Sequence, residues 1–230
     1  NPAGSLGGPT LEPAVVRDFP VLSSACGIPA TAQAYSFNVT VVPHGTLGYI
    51  TVWGKGIPRP NSSTLNALDG RIKANAAIVA AGDDGDVSIF ATDRTEVILD
   101  LNGYFVAENV NPAALAYYPM TPCRVADTRS TTILRAGERR SFGVREACPG
   151  VPATAQAYSM NSTVVVPRSL GFLTLWPTGE AVPNASTLNG DRGGILANAA
   201  MLKAGAGGAI SAYATDDTHL ILDISGYFAP

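Results

Sequence analysis

Histidine and cysteine, on which many catalytic and metal sites depend, are scarce in this sequence. Its 230 residues include two histidines, His44 and His219, and three cysteines. Neither histidine recurs in a pattern that would let it activate a serine or threonine, and no G-x-S-x-G, H-E-x-x-H or phosphate-binding-loop sequence occurs. We therefore predict that the chain is not an enzyme and that it holds no metal or cofactor.

Charge and long apolar runs are also lacking. Charged residues make up 14% of the chain, and its 15 Lys and Arg are scattered and outnumbered by 18 Asp and Glu, so a nucleic-acid partner is not expected. No run of about eighteen apolar residues occurs, so no membrane-spanning helix is predicted. Hydrophobic residues nevertheless account for 46% of the sequence, which is typical of a chain that folds around a core.

Internal repetition is the strongest feature that is present. The segment PATAQAYSFNVTVV at residues 29–42 returns as PATAQAYSMNSTVV at residues 152–165, an offset of 123. The same offset relates the two copies of STLN, ANAA, ATD and ILD-x-x-GYF farther along the chain. Such agreement indicates a duplication, and we predict two tandem modules, residues 1–107 and 108–230.

The apolar residues of each copy recur at the spacing of β-strands. In the first copy Tyr35, Phe37 and Val39 alternate with Ser36 and Asn38, a period of two that is typical of a half-buried strand. Short runs rich in β-branched and aromatic residues, YITVW, AAIVA, VSIFAT and EVILDL, follow between Gly and Pro turns. About seven or eight such strands per copy predict an all-β chain of two antiparallel β-sandwich modules, of jelly-roll or Ig-like type, and exclude a parallel α/β fold.

The three cysteines are placed unevenly. Cys123 lies in the segment YYPMTPCRVADTR, residues 117–129, which the first copy lacks, whereas Cys26 and Cys148 precede the repeated PATAQAY of each copy. We expect a disulfide between Cys123 and Cys148, which indicates an oxidising compartment and hence an extracellular or cell-surface location. Cys26 is then left over. It is either a buried free thiol or the partner of a cysteine in an opening segment that a precursor or a neighbouring subunit supplies.

Several acidic and amide side chains are candidates for binding or for a structural role. Asp83, Asp84 and Asp86 could bind a hard cation, but the second copy has Ala and Gly at their places, so a solvated turn is the favoured interpretation. The polar residues present in both copies are predicted to form hydrogen bonds at strand ends and turns. They are Asp93 and Asp216, Asp100 and Asp223, Asn66 and Asn189, and Asn75 and Asn198.

An aromatic pair in each copy is a candidate binding surface. Tyr49 and Trp53 share one face of the YITVW strand, and Phe172 and Trp176 share the matching face in the second copy. The opposite face is apolar as well, so one face faces the core and the other is covered by further packing, a subunit or a ligand such as a sugar ring. Core packing is the favoured interpretation, whereas exposed aromatic rings would favour carbohydrate binding.

Four N-x-S/T sequons form two matched pairs, at Asn38 and Asn161 and at Asn61 and Asn184. We treat all four as candidate glycosylation sites, with Asn38 and Asn161 expected to point away from the apolar face of their strands. The strand and turn preferences of Asn and Thr explain the same residues without a glycan.

The opening PCRVADTR at residues 122–129 and the closing DISGYF at residues 223–228 resemble the ends of a module that recurs in large secreted and surface proteins of bacteria. In that family P-C-R-x-x-D-T-R opens the unit and D-x-x-G-Y-F closes it, and the resemblance covers nearly the whole chain. It implies an extracellular β module, found in tandem or beside enzymatic domains, with no established activity. The first copy departs from the pattern because it lacks the opening segment.

We predict a non-catalytic extracellular structural protein whose tandem β modules self-associate into a homopolymeric fibre or surface layer. The first copy is the reason, because a sheet without its opening strand has an open edge to which a strand from elsewhere can add. The alternative is a carbohydrate-binding or adhesive module of a secreted protein, which requires accessible tryptophans. A hydrolase would require a convergent pair of carboxylates, which the sequence does not reveal.

Overall fold

Strands make up almost all of the regular structure. The structure is a computed structural model and describes residues 8–107, 110–190 and 193–230. In these ranges every strand pair is antiparallel, and the one α-helix, α1 (Val144–Ala147), is a single turn. The prediction of an all-β chain is therefore confirmed. Chain contacts divide the molecule into two compact units between Pro112 and Ala113.

The first unit contains seven strands within its described residues, arranged in two antiparallel sheets. The strands are β1 (Val16–Phe19), β2 (Ala32–Pro43), β3 (Leu47–Gly54), β4 (Leu65–Ala67), β5 (Lys73–Ala80), β6 (Val87–Ala91) and β7 (Thr95–Val106). One sheet has the order β1-β6-β3-β4 and the other the order β5-β2-β7. The 12-residue strand β7 therefore lies at an edge of the second sheet.

The second unit repeats this arrangement and adds one strand. Its strands are β8 (Ala116–Asp127), β9 (Arg139–Gly143), β10 (Ala157–Val166), β11 (Leu170–Pro177), β12 (Leu188–Gly190), β13 (Gly194–Lys203), β14 (Ala209–Ala214) and β15 (His219–Ala229). The sheets have the orders β9-β14-β11-β12 and β13-β10-β15-β8. β15 is the counterpart of β7, so the additional strand β8 lies where the described part of the first unit has none.

Each unit has its own hydrophobic core, formed by residues from both of its sheets. In the first unit Tyr35 and Phe37 of β2 pack with Ile50 of β3, and all three are buried. In the second unit Tyr158 of β10 and Leu173 of β11 are buried in the same way. Full burial of one such side chain contributes roughly 1.5–3 kcal/mol. The inward residues of β2 and β10 thus join the two sheets of their unit.

The predicted alternation of buried and exposed residues is complete in only one unit. Along β10 Met160 is buried and the next residue, Asn161, is exposed. Along β2 Phe37 and Val39 are buried, but Asn38 between them is only 4% exposed. Asn38 alternates with the core residues Phe37 and Val39, but it is buried as well, because both faces of β2 are covered along this stretch.

Candidate functional site

The two units differ at one sheet edge, and this edge is the candidate functional site. In the second unit β15 pairs with β10 on one side and with β8 on the other. In the first unit β7 pairs with β2, and no strand of the described residues pairs with its other side. Leu11 makes a single bridge there to Thr95, the first residue of β7. We refer to this side of β7 beyond Thr95 as the open edge.

The opening segment of the second copy forms β8, and a disulfide ties it to its unit. Cys123 and Cys148 are bonded, as the sequence predicts, across a separation of 25 residues. Closing a loop of this length contributes roughly 3 kcal/mol through the unfolded chain. Beyond the end of β8 the Thr128 hydroxyl accepts a hydrogen bond of 2.7 Å from the backbone N–H of Leu220. β8 is therefore held to the unit at its middle and at its end.

Charged residues of the opening motif fix the position of β8 along β15. The Arg124 guanidinium donates to the carboxylate of Asp223, and its Nη1 lies 3.0 Å from Oδ2 of Asp127. Hydrogen bonding from Arg129, at 2.7 Å, holds the pKa of Asp127 well below its ordinary value. Exposed and half-exposed pairs of this kind contribute little to stability because water screens them. Their role is to define register more than to supply stability.

Aromatic rings continue the contact at the other end of β8. Tyr118 stacks on Tyr227 of β15, with ring centroids 5.3 Å apart. Tyr117 lies 5.1 Å from the ring of Phe228, at an angle of 48°. Such pairs contribute about 0.5–1.5 kcal/mol beyond the area that they bury. The GYF sequence that closes the module is thus part of the surface that receives β8.

The strand at the open edge is more exposed than its counterpart. Ile98 of β7 is 46% exposed, whereas Ile221 at the same position of β15 is 7% exposed. The inward-facing residues differ in the same direction. Those of β7 are partly buried, namely Val97, Leu99 and Leu101. Their counterparts on β15 are fully buried, namely Leu220, Leu222 and Ile224. No strand among the described residues covers the other side of β7, and part of the core of its unit is accessible to solvent there.

The candidate aromatic surface is mostly buried. Trp53 is 8% exposed and Trp176 is 5% exposed. Their indole N–H groups donate to the carbonyls of Ile57 and Glu180 at 2.8 and 3.1 Å. Phe172 is 36% exposed. The fourth residue of the set, Tyr49, is partly buried with its ring 5.9 Å from Phe90. Neither tryptophan presents a ring face on which a sugar could stack.

The four sequons occupy different environments. Asn61, Asn161 and Asn184 are exposed, and the Asn161 carboxamide donates to the Thr163 hydroxyl at 3.2 Å. Asn38 is buried, so a glycosylating enzyme has no access to it in the folded chain. Three candidate attachment sites therefore lie on the surface.

The acidic turn of the first copy holds a lysine. The ammonium of Lys55 lies 3.3 Å from Asp84 and 2.9 Å from Asp86, and both contacts raise the pKa of Lys55. Over the residues that the structure describes, no three His, Cys, Asp or Glu side chains are grouped as metal ligands. The turn is consistent with a charged surface loop, and the lysine was not recognised from the sequence.

The polar residues kept in both copies satisfy backbone groups. Asp93 accepts hydrogen bonds from the N–H of Gly48 at 2.9 Å and from the Thr92 hydroxyl at 2.6 Å. Asp216 makes the equivalent bonds at 2.9 and 2.7 Å in the second unit. Asn75 donates to the carbonyl of Thr64, and the other repeated asparagines bond to carbonyls in the same manner, namely Asn66, Asn189 and Asn198. These six residues thus bind backbone groups, as the sequence predicts. The remaining pair differs, because Asp223 binds the Arg124 side chain and Asp100 the Asn38 side chain.

Both histidines have contacts of a structural kind. His44 lies 3.3 Å from the Glu96 carboxylate, and His219 lies 2.9 Å from the backbone carbonyl of Thr128. Near Thr128 a shallow depression of about 730 Å³ is bordered by Arg124 and Arg140. Those guanidinium groups bind neighbouring carboxylates and carbonyls.

Comparisons with known proteins do not identify a function for the chain. No protein-family model matches the sequence, and no curated protein matches it at a significant level. Within the described residues, no helix is long and apolar enough to cross a membrane.

Proposed function

We propose that the chain is a non-catalytic extracellular structural protein, whose tandem β modules join neighbouring subunits into a fibre or surface layer. The open edge of β7 carries this proposal, because the same edge of the sister strand β15 is occupied by β8. An unpaired edge offers a row of backbone N–H and C=O groups to any extended strand of suitable sequence. Assembly by strand addition is the function that this geometry supports best.

The module architecture that we propose is a sandwich of two antiparallel sheets in each copy. It is supported by the single core that the two sheets of each unit share. The boundary at residues 107 and 108 lies close to the division between Pro112 and Ala113. Residues 108 and 109 lie outside the described part of the chain.

The location that we propose is the cell exterior. The Cys123–Cys148 disulfide supports it, because such bonds are rarely kept in a reducing cytosol. The resemblance of the opening and closing motifs to modules of bacterial secreted and surface proteins points the same way. Asn61, Asn161 and Asn184 are exposed and remain candidate glycosylation sites in a source that has the enzymes.

Carbohydrate binding is a weaker proposal. Aromatic sugar-binding platforms need an accessible ring face, and Trp53 and Trp176 are 8% and 5% exposed. Only Phe172 of the four candidate aromatics reaches 36% exposure. We therefore give priority to assembly.

Electron microscopy of native material from the source, combined with non-reducing mass spectrometry, tests the proposed function. We expect ordered fibres or layers in which Cys26 is disulfide-bonded to a segment outside its own unit. Discrete particles of a single chain with a free Cys26 thiol would contradict the proposal.

A further inference from the structure

We propose that the depression near Thr128 binds an uncharged mono- or disaccharide. Its volume of about 730 Å³ lies within the range of small-molecule sites in proteins, roughly 300–1,000 Å³. The site belongs to the second unit, whereas the assembly proposal rests on the first, so the inference goes beyond the proposed function. It is also separate from the candidate aromatic residues, none of which borders the depression.

Edge strands of two different sheets border the depression. β8 lies at the edge of one sheet of the unit and β9 at the edge of the other, and the loop that follows β8 completes the border. Each of these strands pairs with a neighbour along one side, and the Cys123–Cys148 disulfide holds β8. The walls are therefore fixed before a ligand arrives, which reduces the entropy lost on binding.

Apolar side chains form the inner wall of the depression. Val125 and Ala126 of β8 and Phe142 of β9 line it, and all three are partly buried and pack against the core of the unit. An aromatic ring beside aliphatic groups offers a flat surface for the C–H face of a pyranose ring. The inner wall thus suits a ligand that has an apolar face.

The ring of Phe142 is not covered by the neighbouring arginine. At the matching place in the first unit, the Arg17 guanidinium lies over the ring of Phe19, 4.7 Å from its centroid. Arg140 is the counterpart of Arg17, but it donates to the Glu138 carboxylate at 2.8 Å and to two backbone carbonyls. Within the described residues no guanidinium lies over Phe142. The second unit therefore leaves to a ligand the place that Arg17 takes in the first.

Polar groups with free hydrogen-bonding capacity line the rest of the depression. Thr131 and Thr132 are exposed, and their hydroxyls have no hydrogen-bond partner within the described residues. Ser130 donates its hydroxyl to the Asp127 carbonyl at 3.1 Å and keeps its acceptor lone pairs. Nη2 of Arg124 has no partner in the described chain either, because the bonds of this side chain to carboxylates use Nε and Nη1. Such a mixture of donors and acceptors matches sugar hydroxyls, each of which can donate and accept.

The formal charges of the ion pairs around the depression cancel. Three guanidinium groups and three carboxylates take part, namely those of Arg124, Arg129, Arg140, Asp127, Asp223 and Glu138. A charged ligand therefore gains no net attraction, and to bind one of these groups it has to displace the present partner. A displaced partner loses its hydrogen bonds. This balance favours an uncharged saccharide over an acidic or a basic one.

Nuclear magnetic resonance of the full chain, labelled with nitrogen-15, tests the inference. The probes are methyl glucoside, methyl galactoside and N-acetylglucosamine at about 20 mM, which occupies most of a site whose Kd is about 1 mM. We expect at least one probe to shift the amide signals of residues 130–132 and 140–142 in a saturable manner. Glucuronic acid and glucosamine, the charged analogues of the first and third probes, should bind at least about fivefold more weakly than these do.

Matched variants separate binding in the depression from contact elsewhere. Joint substitution Thr131→Val and Thr132→Val keeps both shapes, removes both hydroxyls and should weaken binding at least about fivefold, with an unchanged circular dichroism spectrum. Phe142→Leu keeps an apolar side chain against the core but removes the flat ring, so binding should weaken about threefold. Thr154→Val is the control, because Thr154 is an exposed threonine of the same unit that does not border the depression, and it should leave binding unchanged.

Four outcomes would overturn the inference. These are no shift of the named signals with any of the three probes, a charged analogue that binds as tightly as its uncharged counterpart, native affinity in the folded double threonine variant, and shifts confined to Phe172 and its neighbours. The last result would assign sugar binding to the aromatic surface. Fibres in native material do not depend on this depression, so saccharide binding and assembly fail separately.

Discussion

At the scale of single residues, the Thr–Asp pair makes nearly identical contacts in the two units. Thr92 accepts a hydrogen bond from the N–H of Tyr49 at 2.9 Å, and Thr215 accepts the same bond from Phe172 at 3.0 Å. The adjacent Asp93 binds the N–H of Gly48. Together each pair satisfies two consecutive backbone donors at the start of a long core strand, which explains why both copies contain the ATD sequence.

The Asp93 carboxylate makes the stability of the first unit depend on pH. The hydrogen bond from Gly48 and the bond from Thr92 lower the pKa of Asp93. Its contribution to stability is therefore fully present above the unfolded pKa of about 3.9, and it is lost as the pH falls through the lower folded pKa. We expect Asp93→Asn to lower the urea midpoint at pH 7 and to have a much smaller effect near pH 2.

Chemical unfolding of both proteins at the two pH values, followed by circular dichroism, checks this prediction. Asp84→Asn is the control, because the Asp84 side chain is 82% exposed and has only a long contact to Lys55. An equal loss of stability at pH 7 and pH 2 for Asp93→Asn would show that the charge is not responsible.

At the scale of elements, one turn brings two hairpins of each unit into backbone contact. The N–H of Gly82 donates to the backbone carbonyl of Asp86 at 3.0 Å, and the N–H of Asp83 donates to the Lys55 carbonyl at 3.0 Å. A Cβ on Gly82 would overlap the backbone of Lys55, and one on Gly205 would overlap the backbone of Thr178. The turn before β6 can therefore approach the end of β3 this closely only with glycine at this position.

We expect Gly82→Ala to destabilise the first unit by about 1–3 kcal/mol, because the overlap is with backbone that can move only by distorting the turn. Gly103→Ala is the matched control, since its Cβ meets nothing within 4 Å, and it should be neutral or slightly stabilising. Thermal unfolding measures both. Equal stability of Gly82→Ala and the native chain would contradict the turn geometry.

The sequence predicts the long strands well and the short elements poorly. The alternation of Tyr35, Phe37 and Val39 indicates β2, because a period of two continues long enough to be distinguished from chance. The three-residue strand β4 and the single-turn helix α1 (Val144–Ala147) are too short for any period to appear. The burial of Asn38 was missed because local pattern does not report what covers the second face of a sheet.

The site was predictable in part. The placement of Cys123 and Cys148 in the sequence predicts the disulfide that holds the opening segment to the second unit. The position of β8 beside β15 requires knowledge of sheet order, which pairs strands far apart in sequence. The contacts of Gly226 and Tyr227 with β8 follow only from that position, although the repeated GYF sequence contains them both.

At the scale of the whole molecule, the two units have the same fold, but the edge strand of the first unit is more exposed to solvent than its counterpart in the second. The second unit has a fourth strand in the β15 sheet and a disulfide, and the residues of β15 that face its core are fully buried. The described part of the first unit has neither the strand nor the bond. Local opening should therefore begin in the first unit, at β7.

Hydrogen exchange followed by mass spectrometry checks this expectation. Amides of β7 (Thr95–Val106) should exchange at least about tenfold faster than those of β15 (His219–Ala229), because half of their potential strand contacts are missing. Reduction of the disulfide is the control and should accelerate exchange in the second unit alone. Equal protection of the two strands would mean that the edge of β7 is already covered in solution.

The side chains of β7 also limit which extended chains can pair with its open edge. A flat, uniformly apolar edge of twelve residues would accept many extended chains and would be a hazard for amyloid-like growth. Asp100 interrupts such a pattern, because a strand that pairs with this edge has to cover a carboxyl group whose pKa burial already raises. The edge is therefore less open to amyloid-like growth than a uniformly apolar strand of the same length would be.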